Sequence, residues 1–172
     1  MGRNLPKPAL RPYLPADAAA LAAIFQASIH ELTEEDYSEA QAAAWASSAD
    51  DVGAFGARLA QDLTLIATIG GSPVGFASLK GTEHIQMLYV HPAVAGQGIG
   101  AMLYDALEKL ASARGAKRLI VDASDTAEDF FRRRGFLPQR RNSIPIEDEW
   151  LANTTMEKRL ASNDDEAGRG TP

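Results

Sequence analysis

The chain has 172 residues, 45% of them hydrophobic, with a formal net charge of −6 and no cysteine. That length and apolar content predict one domain with its own core, and the missing cysteines exclude disulfides, cysteine nucleophiles and thiolate metal sites. The negative charge argues against a nucleic-acid partner and mildly favours a cationic substrate such as an amine. No apolar run approaches the roughly 20 residues that a membrane span needs. Met1 to Pro8 lacks the apolar stretch of a secretory signal, so a cytoplasmic protein with no membrane partner is expected.

Residues 1–8 and 161–172 are polar and are expected to be disordered ends of a domain spanning 9–160. Within it, Ala9 to Tyr13 reads as a short strand. Leu21, Ile24, Phe25, Ser28 and Ile29 mark a helix that starts near Pro15 or Asp17. Ser38 to Ser47 reads as a second helix, with Ser38 and Gln41 in capping-box spacing, and Asp51 to Gln61 as a third. Leu63 to Ile69 and Pro73 to Lys80 are strands joined by a tight turn at Gly70-Gly71-Ser72. Glu83 to His91 is a further strand, halted by Pro92.

Then comes Gly96-Gln97-Gly98-Ile99-Gly100, followed by a helix. Ile99, Met102, Leu103, Ala106, Leu107, Leu110 and Ala111 form one apolar stripe, with Tyr104 off it and Gly115 as the stop. Arg118 to Ala123 is the next strand, so a right-handed βαβ step is expected. Thr126 to Arg134 reads as a short helix with Thr126 and Asp129 in capping-box spacing. Phe136 to Arg141 and Trp150 to Leu160 are the last strands, with Asn142 to Glu149 as a loop between them. The order implies an α+β domain: an antiparallel meander, then one parallel step.

Alternating glycines let backbone approach a ligand closely, and the following helix points unpaired N–H groups into the loop. This is a site for phosphate or pyrophosphate. Gly96-x-Gly98-x-x-Ala101, with Asp122 ending the next strand, fits a dinucleotide-binding reading and an oxidoreductase. Its context is wrong, because that motif opens its sheet, whereas here a hairpin and three helices precede it. No metal site is indicated, since His30, His84 and His91 lack ligand spacing.

An acyl-CoA site is the competing reading. The run Leu88-Tyr89-Val90-His91-Pro92-x-x-x-Gly96-Gln97-Gly98-Ile99-Gly100 resembles the strand-to-loop cofactor signature of the GNAT-type N-acetyltransferase superfamily. Ala127-Glu128-Asp129-Phe130-Phe131-Arg132-Arg133-Arg134-Gly135-Phe136 and Thr155-Met156-Glu157-Lys158-Arg159-Leu160 are similar to that family's "x-G-F" helix end and its closing strand. The resemblance covers roughly residues 9–160. It departs from the pattern at Ala95, where a Gln or Arg is usual, and at Phe131, where many members carry a tyrosine that protonates the leaving thiolate.

The resemblance implies a single-domain α+β acyltransferase fold. Its mixed, mostly antiparallel sheet splays between two parallel central strands, with helices on both faces. Acetyl-CoA would lie in the gap between strands 83–91 and 118–123, bonded by backbone of Leu88, Tyr89 and Val90. The loop residues Ala95, Gly96, Gln97, Gly98, Ile99, Gly100 and Ala101 would hold its pyrophosphate. Ser124 and Phe131 would flank the pantetheine arm, and Arg134, beside Arg132 and Arg133, would reach a phosphate.

A primary amine of a small molecule or peptide would attack the thioester directly. His84 is the candidate base, placed by period two on one face with Gln86, Leu88 and Val90, and Glu83 on the other face is the alternative. Tyr37 and Gln86 are candidate acceptor contacts, while Trp45 reads as core. A homodimer is common among relatives. The loss of the tyrosine at 131 also motivates a different reading, a non-catalytic acyl-CoA-binding module.

Overall fold

The computed structural model describes residues 6–161. The expected disorder at 1–5 and 162–172 lies outside the described residues; Pro6 to Pro8 and Ala161 are exposed and irregular. In chain order the elements are β1 (Ala9–Pro12), α1 (Ala18–Leu32), α2 (Glu39–Ala46), α3 (Val52–Gln61), β2 (Leu63–Ile69), β3 (Ser72–Lys80) and β4 (His84–Val90). They continue with α4 (Ile99–Ala113), β5 (Arg118–Ser124), α5 (Glu128–Arg132), β6 (Leu137–Ile146) and β7 (Glu149–Arg159). The seven strands form one sheet in the order β1-β2-β3-β4-β5-β7-β6. Among the described residues only β4 and β5 pair in parallel. A doubly wound parallel sheet is thereby excluded, and with it the structural frame of the dinucleotide reading.

Helices cover both faces. On one, α4 lays Ile99, Leu103, Leu107 and Ala111 against Ala77, Leu79, Val121 and Met156. On the other, α1 and α3 bring Leu21, Phe25, Phe55 and Leu59 onto Ile66, Phe76 and Met87. Burying a side chain of this size contributes roughly 1.5–3 kcal/mol, so these two layers dominate the stability of the sheet.

Local signals explain most of the element ends. Ser38 Oγ accepts from Gln41 N–H at 3.1 Å and Gln41 Oε1 accepts from Ser38 N–H at 2.9 Å, closing the expected capping box. Gly70 and Gly71, at φ 59° and 83°, make the expected hairpin turn in two residues, since Ser72 already pairs with Ile69 as the first residue of β3.

Three expectations need correction. Tyr104 is 1% exposed, because Phe130, Phe131 and Phe136 close over that flank of α4 and widen its buried arc. Residues 142–149 are not a loop: β6 runs to Ile146, with half-buried Asn142, Ile144 and Ile146 alternating with exposed Ser143 and Pro145. As β6 is the edge strand, the missing N–H of Pro145 leaves no ladder bond broken. Thr126 caps no helix; its Oγ1 donates to Asp36 Oδ2 at 2.8 Å, and α5 begins after Ala127.

Candidate active site at a forked pair of strands

The site begins with one extra residue in β4. Ser78 pairs with Met87 and Leu79 with Ile85, so Gln86 has no partner on β3 and forms a β-bulge. The bulge reverses the side-chain alternation. Ile85 packs in the α4 layer, yet Met87, two residues on, packs in the α1–α3 layer. Leu88 and Val90 return to the α4 side and Tyr89 to the α1 side. His84 therefore lies on the α1–α3 face, opposite Leu88 and Val90. The period-two expectation that they share a face fails at the bulge.

A bulge also bends its strand. β4 and β5 pair only at His84↔Ile120 and Ile85↔Val121, after Ile120 N–H donates to Glu83 C=O at 2.8 Å. Beyond Ile85 the two strands part. β4 stays with β3 as far as Val90↔Gly75, and β5 stays with β7 as far as Ser124↔Asn153. His91 N–H donates to Val74 C=O at 2.8 Å on the β3 side. By alternation the backbone groups of Tyr89 also face β3, and those of Leu88 and Val90 face the fork.

At the open end of the fork lies the glycine loop. His91 Nδ1 accepts from Ala93 N–H at 3.0 Å and starts a 3₁₀ turn over Pro92–Val94. Ala95 N–H donates to Pro92 C=O at 3.2 Å and Gln97 N–H to Val94 C=O at 3.3 Å, so those two groups serve the turn itself. Gly96 and Gly98 stand at φ 77° and 84°, where a β-carbon is strained. The α4 N–H groups of Ile99, Gly100 and Ala101 have no partner within the helix and face the loop. No acidic side chain occupies the first turn of α4, so nothing there competes with an anion.

Two cavities of about 170 and 180 Å3 open along the fork. One lies toward α1 and Gly100, lined by Ser28, Ile29, Val90 and Phe130. The other lies toward β6 and β7, lined by Gln86, Asp122, Ile144, Leu151 and Asn153. They share a wall made of Trp45, Leu88, Tyr89, Ser124, Ala127 and Phe131.

The expected residues fall unevenly around these cavities. Tyr37 is buried, and its hydroxyl donates to Ala152 C=O at 2.6 Å and accepts from Asp125 N–H at 2.8 Å. Burial holds its phenol above the ordinary value. Trp45 packs edge-on against Tyr37 and Tyr89 and reaches both cavities. Glu83 sits at the closed end of the fork, where Oε2 accepts from Arg118 Nε at 3.0 Å.

His84 is absent from both cavity walls. Its Nε2 lies 3.9 Å from Asp122 Oδ2, and Asp122 lines the cavity on the β6–β7 side. Thr155 Oγ1 donates to Asp122 Oδ1 at 2.6 Å and accepts from Asn142 Nδ2 at 2.8 Å, fixing the carboxylate. Arg132 pairs with Glu128 and Arg133 with Asp129. Arg134 instead stacks 3.6 Å above the Phe130 ring, which stands against Gly100 at the start of α4.

Asp122, Ile144 and Leu151 line the second cavity without any mark in the sequence that brings them together. Strand alternation gives the face of Asp122, but it does not reveal which strands share a cavity.

Residues 33–160 match the model of the acetyltransferase (GNAT) domain. The uncharacterized N-acetyltransferase YafP of Escherichia coli K12 is 33% identical over 147 residues, 86% of this chain and 93% of that protein. The crystal structure of a GCN5-related N-acetyltransferase from Rhodopseudomonas palustris superposes with a TM-score of 0.88 at 61% identity, covering 93% of this chain and 100% of the other. The PaiA N-acetyltransferase of Thermoplasma acidophilum, solved with coenzyme A, shares the fold at a TM-score of 0.75 and 19% identity, over 90% of this chain and 99% of its own. The forked sheet, the glycine loop and these likenesses agree: the chain belongs to the GNAT acetyltransferase family.

Proposed function

We propose that this acetyltransferase moves an acetyl group from acetyl-CoA to a primary amine of a small molecule or peptide by direct attack. The observation that carries the reading is the fork itself, with unpaired strand backbone along one arm and a helix-terminal phosphate cradle at its open end. Backbone of Leu88 and Val90 would hold the pantetheine arm as an added strand. N–H groups of Gly96, Gly98, Ile99, Gly100 and Ala101 would hold the pyrophosphate. Arg134 stands one aromatic ring from that loop and would meet a phosphate there. The bound thioester supplies the activated acetyl group, so no nucleophilic residue is required.

What this chain adds is positioning and proton transfer. The acceptor enters the cavity on the β6–β7 side, its ammonium beside the Asp122 carboxylate and its carbon chain against Ile144 and Leu151. Asp122 would relay the proton to His84 behind it, 3.9 Å from its Oδ2, and the neutral amine would attack. The peptidyl-lysine N-acetyltransferase YjaB of Salmonella typhimurium is 34% identical over 82 residues, 48% of this chain and 54% of that protein. A lysine side chain and a small alkylamine present the same ammonium on a flexible stem, so the proposal covers both.

Phe131 favours a second reading. It is 2% exposed and lines both cavities, and it has no hydroxyl with which to protonate a leaving group. A protein that only binds acyl-CoA would look the same at this position. Thermal shift with acetyl-CoA, CoA and NADPH, followed by thiol release over an amine panel, separates the readings. Stabilisation by CoA together with amine-dependent thiol release supports the enzyme. Stabilisation without release by any amine would leave the binding module.

A further inference from the structure

The mechanism above leaves the departing thiolate without a donor, and the shared wall of the two cavities holds a candidate. A pantetheine arm would reach that wall through the cavity beside Gly100 and an amine through the cavity on the β6–β7 side, so bond exchange would occur there. Of the residues on the wall, Ser124 and Tyr89 carry hydroxyls. Tyr89 is locked among Phe25, Phe76 and Trp45 in the α1 layer, and burial drives its phenol far above the usual range. Ser124 is the last residue of β5. Its Oγ accepts from Ala127 N–H at 3.1 Å, and its own hydrogen has no acceptor among the described residues.

Of the other hydroxyls around the two cavities, Ser28 lies off the shared wall, on the α1 side, and three are committed. Tyr37 donates to Ala152 C=O, Thr126 to Asp36, and Thr33 to Ile29 C=O. The bond that Ser124 receives from Ala127 polarises its O–H, which strengthens it as a donor.

We infer that the Ser124 hydroxyl donates a hydrogen bond to the sulfur of coenzyme A as it leaves, the task that the phenylalanine at 131 cannot perform. The inference rests on the acetyl-transfer reading. As the amine nitrogen bonds to the carbonyl carbon, the C–S bond breaks and sulfur departs with the electron pair. The ammonium proton has gone to the base before attack, and the proton that the acylated nitrogen then sheds goes to solvent. Ser124 keeps its own proton, because a serine hydroxyl is a far weaker acid than a thiol. The thiolate is held by the hydrogen bond until solvent protonates it.

The test compares CoA with desulfo-CoA, which lacks the sulfur, by calorimetric titration of the full chain at two pH values, one below and one above the titration of the CoA thiol, the effect being read at the higher. Ser124→Ala should weaken CoA binding about tenfold, the worth of one charge-assisted hydrogen bond, and leave desulfo-CoA binding unchanged. Ser124→Thr should behave as the native protein, and Tyr89→Phe should lose nothing specific to sulfur. A structural role for Ser124 at the Ala127 turn would weaken both ligands alike, and that result overturns the proposal. So does a sulfur-specific loss in Tyr89→Phe, or no loss in Ser124→Ala. If neither ligand binds the native protein, the acyl-CoA reading itself has failed.

Discussion

The proposed cofactor arm of the fork draws its backbone from one contiguous run, Leu88 to Ala101, whereas the proposed acceptor side takes Tyr37, Gln86, Asp122, Ile144 and Leu151 from separate elements. The first works through backbone: positive-φ glycines, strand edges and the free N–H groups of a helix start. The second works through side chains whose meeting depends on sheet topology and on one bulge. A backbone device tolerates sequence change wherever conformation is kept. A side-chain cavity can be retuned residue by residue. Substitutions in the two regions should therefore damage different steps.

The largest effect belongs to the backbone arm. Gly98→Val puts a β-branched residue at φ 84° and a side chain where the phosphates must approach. CoA affinity by calorimetry should fall at least about 100-fold, close to 3 kcal/mol. Unchanged binding would mean that the loop does not hold the phosphates.

Next comes proton transfer on the acceptor side. His84→Ala should leave CoA affinity unchanged and lower kcat by about 100-fold at neutral pH. The loss should shrink as pH rises, because more of the amine is then neutral without help. Asp122→Asn should instead raise KM for cationic amines most. Full kcat in His84→Ala at neutral pH would move the base elsewhere.

Tyr37→Phe probes how the acceptor side is held. Its hydroxyl ties the α1–α2 loop to β7 and to the loop after β5, and its loss strands Asp125 N–H and Ala152 C=O. Chemical denaturation should show a loss of about 1–3 kcal/mol. The Tyr37 phenol is raised in the folded state, so the neutral form is the one that folding favours. That contribution is complete below an unfolded pKa of about 10 and fades only as pH climbs above it. A difference between variant and native protein that vanishes at neutral pH would contradict this.

Arg134→Ala should be the mildest, weakening CoA binding by about three- to tenfold, with a loss that shrinks as salt rises. An effect insensitive to salt would assign Arg134 to packing on Phe130 instead.

These regions also differed in how far the sequence revealed them. The glycine loop, the stripe of α4 and the Ser38 cap are local patterns, and each stands in the structure where its residues predicted. The bulge at Gln86 left no local mark, because Ile85 and Met87 are both apolar and alternation alone assigns them to one face. That error carried His84 to the wrong side of the strand. The β6 extension was hidden by Pro145, which is tolerated only because β6 proves to be an edge. Tyr104 was placed off its helix stripe because the aromatic residues that bury it come from α5 and the segment that follows. Asp122, fixed by Thr155 from β7, needed the strand order before its neighbours could be known.

The most direct test is a thiol-release assay with acetyl-CoA over a panel of primary amines and lysine peptides, run with native protein and Gly98→Val. Free CoA should appear in step with N-acetylated product, only when amine and native protein are both present. Tight CoA binding with no amine-dependent release, or release equally fast from Gly98→Val, would contradict acetyl transfer at this fork.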